Sequence, residues 1–132
     1  MKIDHIGIAV RSLSDALKTY RDVMGMTVSG YDDVADQGVR VAMLPAGDSR
    51  IELLEPLGDN SPIEKFMAKR GEGIHHIAIA VDNIEEALAR FKAAGLRLID
   101  ETPRTGAHGT RIAFIHPSSN NGVLLELVEH VQ

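Results

Sequence analysis

Cysteine is missing from all 132 residues. That excludes a disulfide framework, a thiolate metal site and a cysteine nucleophile together, so any metal would have to be held by nitrogen and oxygen ligands. Tryptophan is missing too, and only three Phe and two Tyr are present, which leaves aliphatic side chains and methionine to fill the core. No run approaches the roughly 18 apolar residues of a membrane span, and no basic stretch followed by an apolar run and a cleavage site opens the chain. A cytoplasmic location is therefore expected. Positive charge is scarce: 14 Lys and Arg against 19 Asp and Glu give a net charge of −5, which argues against neutralising a polynucleotide backbone. Neither nucleic acid nor a membrane is expected as a partner. What remains, 44% hydrophobic and 25% charged residues, is an ordinary globular composition, enough for one domain with a real core.

The chain repeats itself. Ile3-Asp4-His5-Ile6-Gly7-Ile8-Ala9-Val10 is matched almost residue for residue by Ile74-His75-His76-Ile77-Ala78-Ile79-Ala80-Val81. Beyond it, Leu13, Ala16, Leu17 and Tyr20 are answered by Ile84, Ala87, Leu88 and Phe91. The first segment alternates and the second recurs at helical spacing, so the repeated unit is a strand followed by an amphipathic helix. Ser12 or Ser14, and Asp82 or Asn83, are placed to cap the helices, and Gly25 and Gly95 to end them. Strands are then expected at 26–31, 39–44 and 50–55, and again at 97–101, 111–116 and 123–129. The expected fold class is α+β, with two βαβββ modules forming a mostly antiparallel, curved eight-stranded sheet around a metal-binding cleft. Residues 1–132 form one domain in this reading, with modules at about 1–58 and 74–132. The linker, about 59–73, opens a short helix at Ser61-Pro62-Ile63-Glu64.

Strand parity separates the chemistry from the core. Successive side chains alternate between faces, so His5 shares a face with Gly7 and Ala9, and His76 with Ala78 and Ala80. The isoleucines and valines point the other way, under the helix, and small neighbours leave open space beside each imidazole. The last strand of each module carries a carboxylate in an apolar run: Glu52 in Ile51-Glu52-Leu53-Leu54, Glu126 in Leu124-Leu125-Glu126-Leu127. Burying an ionised carboxylate without a partner costs several kcal/mol. A lone His in a strand is more often structural than a ligand, but an awkward residue repeated at the same module position points to a shared purpose. His5, Glu52, His76 and Glu126 together form a nitrogen and oxygen set suited to one divalent Co, Zn, Ni, Mn or Fe ion, with positions left over for substrate.

Other conspicuous residues have plainer explanations. His75 faces away from His76, His130 lies in a polar tail where solvent should surround it, and His116 precedes Pro117 at a turn. Glu55 and Glu129 end strands, Glu85 and Glu86 suit a helix's first turn, and Met24, Met26, Met43 and Met67 read as core filler.

The passages IDHIGIAV, IELLEPLGDNSPIEKF, GEGIHHIAIAVDNI, GAHG and FIHPSSNNGVLLEL, in this order and spacing, resemble the vicinal oxygen chelate superfamily (glyoxalase, bleomycin resistance and dioxygenase proteins) over nearly the whole chain. Within it they are most similar to the methylmalonyl-CoA epimerases. The resemblance implies inversion at the α-carbon of an acyl-CoA thioester, with His5, Glu52, His76 and Glu126 as metal ligands, Glu126 also as catalytic acid/base, and a homodimer. Some members place a second acidic base a few residues after a Gln-Gly, where this chain has Gln37-Gly38-Val39-Arg40-Val41. Val41 cannot transfer a proton, so Glu52 or a metal-bound water is expected in that role. Arg104, His108 and Arg111 flank the Gly106-Ala107-His108-Gly109 loop, where they could meet an acyl carboxylate or a CoA phosphate. A glyoxalase I-type lactoylglutathione lyase and a metal-free small-molecule binding protein of the drug-resistance type are the alternatives.

Overall fold

The computed structural model describes residues 1–131. Its elements are β1 (Lys2–Ala9), α1 (Leu13–Leu17), β2 (Gly30–Val34), β3 (Val39–Ala46), β4 (Ser49–Pro56), α2 (Pro62–Arg70), β5 (Gly73–Ala80), α3 (Ile84–Ala93), β6 (Arg104–Thr105), β7 (Arg111–Ile115) and β8 (Leu125–Glu129). The chain divides into two compact units, residues 5–75 and residues 76–132 with 1–4. No helix among the described residues is long and apolar enough to cross a membrane.

In the 5–75 unit β1 runs parallel to β4, β4 antiparallel to β3, and β3 antiparallel to β2. The other unit repeats the pattern, with β5 parallel to β8, β8 antiparallel to β7, and β7 antiparallel to β6. The α+β class, the two βαβββ modules and the mostly antiparallel pairing are therefore as expected, and each module has one parallel pair because the helix after the first strand lets the last strand return alongside it in the same direction.

Each module buries aliphatic side chains on both faces of its strands. On the helix side of the 5–75 unit, Val10, Leu13, Leu17, Ala42, Leu44 and Leu53 pack together with Ile8 and Ile51. Ile84, Leu88, Ala113, Ile115 and Leu127 do the same in the second unit. On the opposite face the space beside His5 is not open along the strand. Ala9 is covered by Val39, Val41, Met43 and Leu54, and by Ile63 and Met67 of α2. Ala78 likewise packs with Ile112, Phe114 and Val128. Small residues here admit neighbours, as tight interiors demand.

The helix ends show why the two modules are not identical. Ser12 accepts from the Asp15 amide and Asn83 from the Glu86 amide, which selects one candidate cap in each pair. Module one then carries an extra residue, and Lys18–Val23 takes it up as a π-helical turn. The amides of Met24 and Met26 bond back to Thr19 and Tyr20, whereas those of Ala94 and Leu96 bond to Arg90 and Phe91, one residue nearer in each case. Single π-turns are the usual way a helix absorbs such an insertion. Met24, just past that turn, is 65% exposed and not a core residue; Met43 and Met67 are core residues as expected.

The short strands deviate too. β2 begins only at Gly30, and residues 97–101 make a single bridge, Leu98 with Ile115, in place of a strand. The Asp100 carboxylate there accepts from the Phe114 amide at 2.9 Å, so a side chain substitutes for the ladder. The linker helix forms with Ser61 as its cap, the hydroxyl accepting from the Ile63 amide and donating to the Gly38 carbonyl at 2.6 Å.

Glu55 and Glu129 do more than end strands. Glu55 accepts from the Leu13 amide at 3.0 Å and Glu129 from the Ile84 amide at 3.0 Å, so each last strand anchors the first turn of its module's helix. A carboxylate at this end satisfies an orphan N–H and complements the helix dipole. Glu55→Ala and Glu129→Ala are each expected to cost about 1 kcal/mol, read as a lower urea midpoint at unchanged slope. Glu129→Ala should cost the more, because it also strips a partner from Arg111.

Candidate metal and acid/base site

The register brings each histidine to a carboxylate within its own module. β1 pairs with β4 so that His5 lies opposite Arg50 and Gly7 opposite Glu52. The His5 Nδ1 atom is 3.4 Å from Glu52 Oε2. In the other unit Ala78 lies opposite Glu126, and His76 Nε2 is 3.1 Å from Glu126 Oε1. His5 and Glu52 are each 4% exposed, His76 and Glu126 each 5%. Four ionisable side chains this deeply buried, in strands otherwise filled by Ile, Leu and Val, need partners of opposite charge or hydrogen-bond donors. All four take part in His and carboxylate groupings of a kind able to hold a metal ion, and their donor chemistry fits a divalent first-row cation.

The surroundings of the two pairs differ. Arg50, two residues before Glu52 and on the same strand face, donates from Nε to Glu52 Oε2 at 2.7 Å. The residue two before Glu126 is Leu124, which packs against the cluster of Ala78, Ile112, Phe114 and Val128. His76 meets the edge of the Phe114 ring, the centroids 5.8 Å apart. Arg104 places its guanidinium over the same ring, 5.3 Å from the centroid, and is held by Asp100 at 3.4 Å. A partly exposed cation thus rests on the aromatic ring that touches His76.

The other residues of the Gly-rich segment are dispersed. His108 is exposed at the tip of the 107–109 turn with φ of 54°. Gly106 leaves no room for a side chain, since a Cβ would stand 2.7 Å from Ile112 Cγ2 and 2.8 Å from Thr110 Oγ1. Arg111 alternates to the opposite strand face from Ile112 and is engaged by Glu85 and Glu129 at the start of α3. Those two hydrogen bonds, Glu85 first, raise the guanidinium above its ordinary value, and the same contact lowers the Glu85 carboxyl. Val41 is 2% exposed and packs with Ala9, Val39, Met43 and Leu54.

Two histidines stand elsewhere than their sequence context implied, or with added roles. His130 is not simply solvated: its Nε2 lies 2.5 Å from Asp4 Oδ1, a carboxylate 2% exposed. His75 stands edge-on to Phe66 at 4.8 Å. His116 is the turn residue expected, its Nδ1 accepting from the Ser118 amide at 3.0 Å. Sequence reasoning passed over Arg50 and read Glu55 and Glu129 only as strand ends. The signal was present in the shared three-residue spacing of Glu52 to Glu55 and Glu126 to Glu129, and in the two-residue step from Arg50 to Glu52.

The family model described as "Glyoxalase/Bleomycin resistance protein/Dioxygenase superfamily" matches residues 4–114. The mitochondrial methylmalonyl-CoA epimerase of Dictyostelium discoideum is 43% identical over 97% of this chain and 78% of its own length. The chain belongs to the methylmalonyl-CoA epimerase family of that superfamily. An ethylmalonyl-CoA/methylmalonyl-CoA epimerase of Cereibacter sphaeroides is 41% identical, with 96% of both chains covered. A solved structure of a methylmalonyl-CoA epimerase in complex with methylmalonyl-CoA and NH4+ superposes with a TM-score of 0.94 at 40% identity, covering 98% of this chain and 94% of that one. The two buried His and Glu pairs are a feature that stability alone does not favour. Replacing a buried ionic pair by apolar residues is commonly neutral or stabilising by about 1–4 kcal/mol. The double variant His76→Leu/Glu126→Leu, made metal-free, is therefore expected to melt at or above the wild-type temperature in calorimetry.

Proposed function

We propose that the chain is a methylmalonyl-CoA epimerase, an isomerase that inverts the α-carbon of an acyl-CoA thioester by removing and returning its proton. The observation that carries this reading is the buried His and Glu pair in each of two repeated modules, within a family whose members bear that name. His5, Glu52, His76 and Glu126 would hold one divalent cation. When bound, the cation supplies Lewis-acid stabilisation of negative charge on the thioester oxygen and a seat for the substrate's carboxylate.

The protein's own groups carry the proton. The α-hydrogen of a thioester flanked by a carboxylate is weakly acidic, and a positioned carboxylate can take it in the step that flattens the α-carbon. Glu126 fills this role, its carboxylate oriented by His76 and bordered by Leu124, Phe114 and Val128. Inversion requires a donor on the other face of the flattened carbon. Glu52 holds the repeat-equivalent position in the other module and takes that part in its protonated form, ending ionised as Glu126 ends protonated, since Val41 has no proton to give. Arg104, supported by Phe114 and Asp100, is assigned to an anionic group of the substrate. Arg111 already serves two carboxylates and is assigned instead to holding α3. A homodimer in the cytoplasm completes the proposal.

A lactoylglutathione lyase and a metal-free binding protein are less well supported, because the high-coverage relatives above 40% identity described above are named as epimerases. The test is incubation of metal-loaded protein with methylmalonyl-CoA in deuterated water, following α-deuterium and stereochemistry. The wild type should exchange and invert. Glu126→Gln should lower the rate by about 10²–10⁴-fold, the usual worth of a positioned acid/base, and Glu52→Gln should block inversion with metal still bound. Full-rate inversion by Glu52→Gln would remove Glu52 from the proton path. Absence of exchange in the wild type, alongside turnover of a glutathione hemithioacetal, would replace the proposal with the lyase.

A further inference from the structure

The two modules hold equivalent carboxylates in electrically different settings, and Arg50 makes the difference. Its Nε donates to Glu52 Oε2 at 2.7 Å, on the oxygen that also faces His5. Arg50 keeps only 23% of its side-chain exposure and Glu52 5%, so the pair sits where solvent screens charge poorly. The repeat-equivalent position beside Glu126 is Leu124, an apolar residue.

We infer that Arg50 is a charge-compensating positioning residue of this site, one that gives it affinity for acyl groups bearing a carboxylate. The inference rests on the proposed function and deepens it. The carboxylates of Asp4 and Glu52 beside His5, and of Glu126 beside His76, offset the charge of a divalent cation held there, which leaves little long-range attraction for the anionic malonyl group. Arg50 beside Glu52 restores one positive charge. A carboxylate can give one oxygen to a metal and accept from a guanidinium with the other, the arrangement by which outer groups orient ligands. Arginine suits that task through its directional Nε–H, and its charge is permanent.

Two effects of removing Arg50 oppose each other, and this separates compensation from simple scaffolding. A nearby positive charge repels a cation, so its loss leaves metal binding as tight as before or tighter. The same loss weakens binding of an anionic acyl group. A residue that merely supported the strand would weaken both together.

The experiment uses the full-length chain as wild type, Arg50→Met and Arg50→Lys. Calorimetry gives the Kd for Co(II), and then, on the cobalt-loaded protein, the Kd for methylmalonyl-CoA and for propionyl-CoA, which lacks the carboxylate. Arg50→Met should retain Co(II) affinity or gain it, lose about tenfold in affinity for methylmalonyl-CoA, and bind propionyl-CoA as the wild type does. Arg50→Lys should recover most of the methylmalonyl-CoA affinity, because the charge is kept. Parallel losses of Co(II) and both thioesters in Arg50→Met would overturn the inference in favour of scaffolding, and unchanged methylmalonyl-CoA affinity would overturn it outright. A wild-type chain that binds no Co(II) overturns the underlying proposal, and this inference with it. Wild-type exchange in deuterated water keeps the two failures apart.

Discussion

Two carboxylates buried in apolar strands are the constraint on which the rest of this structure depends. Neither Glu52 nor Glu126 lies at a water-facing edge, and each has a histidine as its strand-face companion. Holding ionisable groups in such a place is expensive unless opposite charge or hydrogen bonds compensate. The fold supplies that compensation in layers: the parallel return of β4 beside β1 and of β8 beside β5 brings carboxylate to imidazole, and aliphatic clusters on both strand faces fix the register. Farther along the same strands, Glu55 and Glu129 tie strand ends to helix starts. One short run therefore places a candidate ligand and anchors the helix that covers the opposite face.

Duplication explains how such a site can arise and why its halves have diverged. A module with one His and one Glu offers two ligands, too few for a closed coordination shell, and a second copy doubles them. Once two copies exist, they can change independently. Here module one has taken an extra helical residue as a π-turn and an arginine beside its glutamate, while module two surrounds its glutamate with leucine, valine and phenylalanine. Equivalent residues have become chemically distinguishable, as the roles proposed for them on two faces of one carbon would require.

Much of the fold was legible in the chain because its strongest signals are local. The strand around His5, its repeat around His76, the helical spacing from Leu13 and from Ile84, and the caps at Ser12 and Asn83 all depend on near neighbours in sequence. Strand parity separated the face that carries His5 from the face under the helix for the same reason. What sequence could not supply came from contacts made at long range. The bond from Asp100 to the Phe114 amide replaces ladder pairing expected at 97–101, and the pairing of Asp4 with His130 joins opposite ends of the chain. Met24 looked like core, but it lies past the π-turn and is exposed to solvent. Arg111 looked available until Glu85 at the helix start and Glu129 at the end of β8 engaged it.

On the proposed reading, both His and Glu pairs serve a single cation. Metal stoichiometry tests it most directly: the purified chain is loaded with Co(II), freed of excess metal, and analysed for cobalt per polypeptide by elemental analysis. One cobalt per chain is predicted, falling toward zero when either His5 or His76 is replaced by alanine. Two cobalt ions per chain, with one surviving each substitution, would show two independent sites and contradict the account.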